Sequence, residues 1–176
     1  MLARQIENGA PFDVFLSADE GFIDRLGERV ESKFVYARGR LAIWSKSGKY
    51  SGLKDLDQAK VIAIANPGSA PYGRAARAAL EKAGLWEGLK SRIVYAESVR
   101  QAFQFAESGN ADVCLCSGTF VSSKGGIVVR EAEPLRQVAA LVGASRNAPA
   151  GRRFLAWLRS AAGQRALRQS GLESVD

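Results

Sequence analysis

Three stretches in the middle of the sequence place hydrogen-bond donors where a predicted strand passes into a helix. In the first, eight uncharged residues, 66–73, separate the apolar run 61–65 from a helix that begins near Pro71. Proline at the first helical position has no N–H, which leaves the N–H groups of Tyr72, Gly73 and Arg74 to bind a ligand. This stretch therefore predicts a group of neutral donors at a helix start.

The other two stretches lie further along the chain. Ser98 is predicted as an N-cap and Val99 as the first residue of the next helix. Ser117 follows the predicted strand 113–116. Helix N-termini bind anions, and the carboxyl ends of strands in an α/β sheet are where ligands bind. The spacing therefore favours an anion site, although Ser98 acting only as a cap is the alternative.

Several kinds of active site are excluded by composition. The chain has no histidine, which removes Ser-His-Asp and Cys-His catalysis and the commonest transition-metal ligand. Cys114 and Cys116 lie two apart in a predicted strand, so both face the same side and are predicted to be unpaired core residues. We therefore expect no catalytic residues, no metal site and no enzyme.

The chain of 176 residues is basic, with a formal net charge of +7. Its arginines are most frequent in the last predicted helical region, at Arg152, Arg153, Arg159, Arg165 and Arg168. No zinc-finger spacing or aromatic–basic interleaving accompanies them, so we interpret them as a solvated face and expect no nucleic-acid partner. The sequence has no apolar run long enough for a membrane span, and residues 1–9 contain no signal-peptide core.

Strands and helices alternate along the chain, which predicts a mainly parallel, three-layer α/β sheet. Predicted strands cover 13–18, 61–65, 92–96, 113–116 and 138–142, and predicted helices cover 73–82 and 99–107. Residues 34–44 are expected to form one long, locally bent strand. A helix is expected to begin at Asp19 and to extend to Val30.

Five stretches of the sequence resemble the molybdate-binding (substrate-binding) proteins of bacterial ABC transporters. They are "GAPFDVFLSADEGFIDRL", "YARGRLAIWSKSG", "IAIANPGSAPYGRAARAALEKAGLWEGLK", "VYAESVRQAFQFAESGNADV" and "APAGRRFLAWLRSAAGQRALRQSGL". They follow the order of the family and together cover nearly the whole chain. The second and third are specific enough to make chance similarity improbable.

The resemblance implies a type II periplasmic-binding-protein fold, with two three-layer α/β lobes that close on an oxyanion. The first lobe comprises residues 1–37 and 139–176, and the second comprises residues 38–138. Molybdate or tungstate is the implied ligand, held without a cofactor by the N–H groups of Tyr72 and Val99. A family position that can carry a tyrosine hydroxyl falls on Ser117, whose shorter side chain implies that the contact is either lost or bridged by water. The predicted ligand-binding residues are Tyr72, Val99, Ser117, Gly73, Ser98 and Ala70.

The sequence also departs from the pattern of the family. The leading strands, the two serine ligands of the first lobe and a Tyr-Pro pair before residue 138 are missing, so an incomplete first lobe and weakened binding are expected. The implied partner is the membrane permease. The alternative is an interaction module that self-associates through an exposed sheet edge. The resemblance implies a periplasmic location, whereas a genuine start at Met1 implies a cytoplasmic one.

Overall fold

The computed structural model describes residues 2–175 and divides the chain into two compact units. Unit 1 comprises Met1–Arg38 and Arg136–Asp176, and unit 2 comprises Gly39–Leu135. Within residues 2–175, no helix is long and apolar enough to cross a lipid bilayer.

Unit 1 is built on a three-stranded sheet in the order β1–β8–β2. Strand β1 (Val14–Ser17) pairs antiparallel with β8 (Leu135–Val142), and β2 (Val30–Gly39) lies on the other side of β8. The helices are α1 (Leu2–Glu7), α2 (Glu20–Asp24), α7 (Ala148–Arg159) and α8 (Ala161–Gln169). The apolar side chains form two clusters, one around Ile23 and Leu26 and the other around Leu141 and Leu155.

Unit 2 is built on a five-stranded sheet in the order β5–β4–β6–β3–β7. The strands are β3 (Leu41–Trp44), β4 (Ile62–Ala65), β5 (Ile93–Ala96), β6 (Val113–Ser117) and β7 (Ile127–Val128). The helices are α3 (Pro71–Lys82), α4 (Trp86–Leu89), α5 (Val99–Ser108) and α6 (Gly118–Val121). Every residue of β4 and β6 is buried, as expected for central strands covered on both faces.

The sheet of unit 2 is mixed, so the prediction of a mainly parallel sheet is only partly correct. Strand β4 is parallel to both β5 and β6, whereas β3 is antiparallel to β6 and to β7. No helical crossover connects β2 to β3, because the chain continues directly from Gly39 through Arg40 into β3. The connection from β3 to β4, the next strand of this sheet, contains only a 3₁₀ helix at Leu53–Gln58, and without an α-helical crossover these two strands run in opposite directions.

Two other local predictions are wrong. The single bent strand over residues 34–44 is two strands, broken at Arg40 and belonging to different sheets. The helix predicted from Asp19 to Val30 ends at Asp24, and a 3₁₀ turn at Gly27–Arg29, with a positive φ of 52° at Gly27, leads the chain into the next strand. Val30 then begins β2, and its apolar side chain accounts for the misleading helical spacing.

The two cysteines are free and buried, which confirms their interpretation as core residues. Both belong to the apolar cluster around Trp44 and Phe103. Contact with the Cys114 thiol and burial together raise the pKa of the Cys116 thiol well above its ordinary value. Because the thiolate is the nucleophilic form, this environment makes the thiol inert.

We expect native protein at pH 8 to show no reaction with Ellman's reagent over several minutes. In guanidinium chloride, where the core is exposed, both cysteines are expected to react at the rate of free cysteine. The absorbance of the released thionitrobenzoate measures the two reactions. Rapid release from the native protein would contradict the burial of these side chains.

Candidate anion-binding site

The three predicted junctions meet at one edge of the sheet in unit 2. Strands β4 and β5 are parallel, with Ala65 opposite Ala96, so both end at the same level. Strand β6 is parallel to β4 with Leu115 opposite Ile64, which brings Ser117 to that edge as well. The helix starts that follow these strands are therefore neighbours, as the sequence predicts.

The loop after β4 is organised by Asn66. Its N–H donates to the Ala96 carbonyl at 2.8 Å, and its Oδ1 accepts from the Gly68 N–H at 2.8 Å. Its carbonyl accepts from the N–H groups of Ser69 and Ala70, at 3.1 and 2.8 Å. These bonds engage every backbone N–H group of residues 66–70, since Pro67 has none. The N–H of Ala70, a predicted site residue, is already engaged in one of them.

Helix α3 begins with N–H groups that precede the helical hydrogen-bond ladder. Ala70 is the N-cap and makes no side-chain cap, and the N–H of Arg74 donates to the Ala70 carbonyl at 3.1 Å. The prediction that the Arg74 N–H faces a ligand is therefore wrong. The N–H groups of Tyr72 and Gly73 precede this first bond of the ladder. An α-helix provides no acceptor for the N–H groups of its first turn.

Gly73 allows this helix start to approach the end of β4. A Cβ atom built on Gly73 would lie 2.2 Å from the Ala65 carbonyl oxygen and 2.9 Å from the Asn66 carbonyl carbon. These neighbours are backbone atoms, so no side chain can rotate away to make room. The glycine therefore determines how closely the first turn of α3 packs against the strand.

Helix α5 begins in a similar way, and the prediction of Ser98 as its N-cap is confirmed. The Ser98 Oγ accepts from the Gln101 N–H at 3.1 Å, and the Gln101 Oε1 accepts from the Glu97 N–H at 2.7 Å. The ladder starts with the Ala102 N–H, which donates to the Ser98 carbonyl. The N–H of Val99 precedes this ladder.

Ser117 lies at the end of β6, and its hydroxyl is engaged with protein groups. Its Oγ donates to the Tyr72 hydroxyl at 3.0 Å, lies 2.9 Å from the Thr119 Oγ1 and accepts from the Thr119 N–H at 3.3 Å. Burial raises the pKa of the Tyr72 hydroxyl, and the hydrogen bond from Ser117 opposes this shift only in part. The phenol is therefore neutral at physiological pH.

The first turns of α3 and α5 contain no carboxylate. The positive ends of these two helix dipoles are therefore not compensated by acidic side chains of their own. Within residues 2–175, no group of three or more metal-ligating side chains could hold a cation. Chemically, this edge can hold an anion through backbone N–H groups.

Sequence reasoning missed two features of the site: the Asn66 side chain and the Tyr72 phenol. An asparagine directly after a buried strand is a signal for a side chain that closes a turn. A tyrosine in an apolar helix start indicates a buried phenol that requires a partner. Neither signal identifies Ser117 as the partner of the Tyr72 hydroxyl, because the distance between these two residues depends on the register of β4 and β6.

Comparison with known proteins identifies the family to which this chain belongs. Residues 1–173 match the profile of the family described as bacterial extracellular solute-binding protein. The chain belongs to this family. Among its solute-binding relatives, the molybdate-binding protein ModA of Azotobacter vinelandii is 36% identical over 171 residues, which cover 88% of this chain and 68% of that protein. ModA of Rhodobacter capsulatus is 36% identical, with 95% of this chain and 71% of that protein covered.

Solved structures of solute-binding proteins confirm the type II periplasmic-binding-protein fold. The periplasmic molybdate-binding protein of Azotobacter vinelandii has a TM-score of 0.88 at 28% identity, covering 99% of this chain and 84% of that one. The substrate-binding domain of a molybdenum ABC transporter from Clostridium difficile has a TM-score of 0.75 at 29% identity, covering 99% and 82%. All of these relatives are named as binding proteins.

Proposed function

We propose that the protein binds a tetrahedral oxyanion, molybdate or tungstate, as the substrate-binding component of an ABC transporter. The observation that carries the proposal is the meeting of two helix starts at one sheet edge, each with N–H groups ahead of its ladder and no carboxylate in its first turn. The names of the two ModA relatives support the choice of ligand.

The chemistry of these donors suits a dianion. The N–H groups of Tyr72, Gly73 and Val99 donate but cannot accept, so they favour an oxyanion whose oxygens are all acceptors. Each such bond to a charged group contributes about 1.5–3 kcal/mol. The dipoles of α3 and α5 add favourable potential without placing a cation beside the ligand.

The partners and the location follow from the same proposal. A substrate-binding component delivers its ligand to a membrane permease, and we propose such a permease as the partner and the periplasm as the compartment. We propose that the two units are the two lobes expected from the sequence. On this view unit 2 provides the donors of Tyr72, Gly73 and Val99.

Isothermal titration calorimetry with molybdate tests the proposal. We expect saturable binding of one molybdate per chain, competition by tungstate and little competition by the monovalent oxyanion nitrate. Since nitrate is planar and carries one charge, it can satisfy fewer of the donors. Absence of molybdate and tungstate binding would overturn the proposed function.

A substitution at Val99 tests the role of its backbone N–H. In Val99→Pro the first helical position loses its N–H together with the valine side chain, and the extended conformation of Ser98, with φ −143° and ψ 160°, suits a residue before proline. We expect molybdate affinity to fall about 10- to 100-fold, the size of one charge-assisted hydrogen bond. Calorimetry measures the change.

The matched control is Val99→Ala, which shortens the side chain but keeps the N–H. Val99 packs against the core cluster of unit 2, so this variant is expected to lose some stability while its molybdate affinity stays close to that of the wild type. Equal losses of affinity in the two variants would contradict a role for the N–H.

A further inference from the structure

The Ser117 hydroxyl lies at the site edge but faces inward. It is 4% exposed, and its hydrogen-bonding capacity is used by the Tyr72 hydroxyl and by two groups of Thr119. A hydroxyl has one proton to donate and two lone pairs to accept with. With those contacts in place, Ser117 has no remaining donor for a ligand.

The Tyr72 side chain is the other half of this contact. It is 7% exposed, and within residues 2–175 the Ser117 hydroxyl is its one hydrogen-bond partner. Since the phenol belongs to the first turn of α3 and the serine ends β6, their bond ties the helix start to that strand. A buried phenol without this partner would be left unsatisfied.

We propose that Ser117 is a positioning residue, which holds the Tyr72 hydroxyl and thereby directs the N–H groups of Tyr72 and Gly73 toward the oxyanion. This inference rests on the proposed function above. It replaces the expectation that the Ser117 hydroxyl itself contacts the ligand.

Two contacts, made by adjacent residues, hold the first turn of α3 in place. Gly73 packs against the carbonyl of Ala65 at the end of β4, and Tyr72 reaches Ser117 at the end of β6. Strands β4 and β6 are neighbours in the sheet, so the first turn of α3 is held at two separate points. Releasing one of them permits rotation of the turn, and hydrogen bonds weaken steeply as their angle departs from linearity.

Removal of the Tyr72 hydroxyl and removal of the Ser117 hydroxyl are expected to change the stability by different amounts. Tyr72→Phe removes one oxygen and leaves Ser117 bonded to Thr119. Ser117→Ala leaves the buried Tyr72 hydroxyl without a partner and also removes the cap that accepts from the Thr119 N–H. We therefore expect Ser117→Ala to lower stability more than Tyr72→Phe does.

A double-mutant cycle distinguishes positioning from direct contact. Molybdate affinity is measured by calorimetry for the wild type, Tyr72→Phe, Ser117→Ala and the double variant, with stability measured in parallel by urea unfolding. We expect each single variant to lose about fivefold in affinity, the size of one typical hydrogen bond, and the double variant to lose no more than Ser117→Ala. Thr119→Val, which removes the hydroxyl on the other side of Ser117, is the control and is expected to bind as the wild type does.

A second readout is independent of overall stability. In ¹⁵N-labelled protein, molybdate is expected to shift the amide signals of Tyr72, Gly73 and Val99. In Tyr72→Phe the ligand-induced shifts of residues 72 and 73 are expected to shrink, whereas that of Val99 is expected to persist, because Val99 lies on α5.

Each result supports or overturns the inference. Affinity losses that add in the double variant indicate a direct contact by Ser117 and overturn positioning. Unchanged affinity in Tyr72→Phe, with unchanged amide shifts, also overturns it while leaving the proposed function intact. A wild type that does not bind molybdate overturns the proposed function and this inference together.

Discussion

Replacing Gly73 with alanine is expected to destabilise the protein by about 3 kcal/mol or more and to abolish measurable molybdate binding. The added Cβ would lie 2.2 Å from the Ala65 carbonyl oxygen, 2.8 Å from the carbonyl carbon of Ala65 and 2.9 Å from that of Asn66. Because all three are backbone atoms, the strain is relieved only by moving the start of α3 away from β4. The Tyr72 N–H moves with it.

Urea unfolding followed by circular dichroism measures the loss of stability, and calorimetry measures the loss of binding. Gly88→Ala is the matched control, since Gly88 also lies in a helix of unit 2 but has no heavy atom within 4 Å of an added Cβ. This control is expected to be neutral or to stabilise by up to about 1 kcal/mol, as alanine favours helices. A Gly73→Ala variant with wild-type stability would refute the close approach described for this helix.

Leu141→Ala is expected to cost unit 1 about 3–5 kcal/mol, the range measured for fully buried leucines. Leu141 is 0% exposed on β8, the middle strand of its sheet, and it packs in the cluster with Leu155 and Leu158. Truncation leaves a cavity that the surrounding strand and helix fill only in part. Urea unfolding measures the cost as a lower midpoint.

Leu16→Ala provides the comparison, because it makes the same chemical change on β1, the neighbouring edge strand. Leu16 is 38% exposed, so this variant is expected to lose only about 1 kcal/mol. Similar losses in the two variants would show that the sheet of unit 1 is not packed as described. The pair separates core packing from the general effect of shortening a leucine.

The central elements of unit 2 could be predicted from local signals. The run at 61–65 contains no polar residue, and the structure places a fully buried strand at Ile62–Ala65. Pro71 marks the start of α3, and Ser98 followed by Gln101 three residues later marks the start of α5. These signals act within one turn or one strand, which is why sequence alone reveals them.

The features that sequence reasoning missed depend on residues far apart in the chain. The antiparallel direction of β3 is determined by its pairing with β6, whose paired residues lie 70 to 76 positions later in the chain. The contact between Tyr72 and Ser117 depends on the register of two strands, and no spacing rule predicts it. The early end of α2 is a local exception: the helix ends at Asp24, and Gly27 then adopts a positive φ that a regular helix does not contain.

The hydrogen bonds of Asn66 have a consequence for the thermodynamics of ligand capture. Because the N–H groups of residues 66, 68, 69 and 70 already donate to Asn66 or Ala96, the loop is ordered before any ligand arrives. The loop loses its conformational entropy when the protein folds, so the free energy of anion binding does not include that loss. Preorganisation of this kind favours rapid association and a small entropic penalty on binding. Selectivity among anions then depends on the direction of a few amide dipoles.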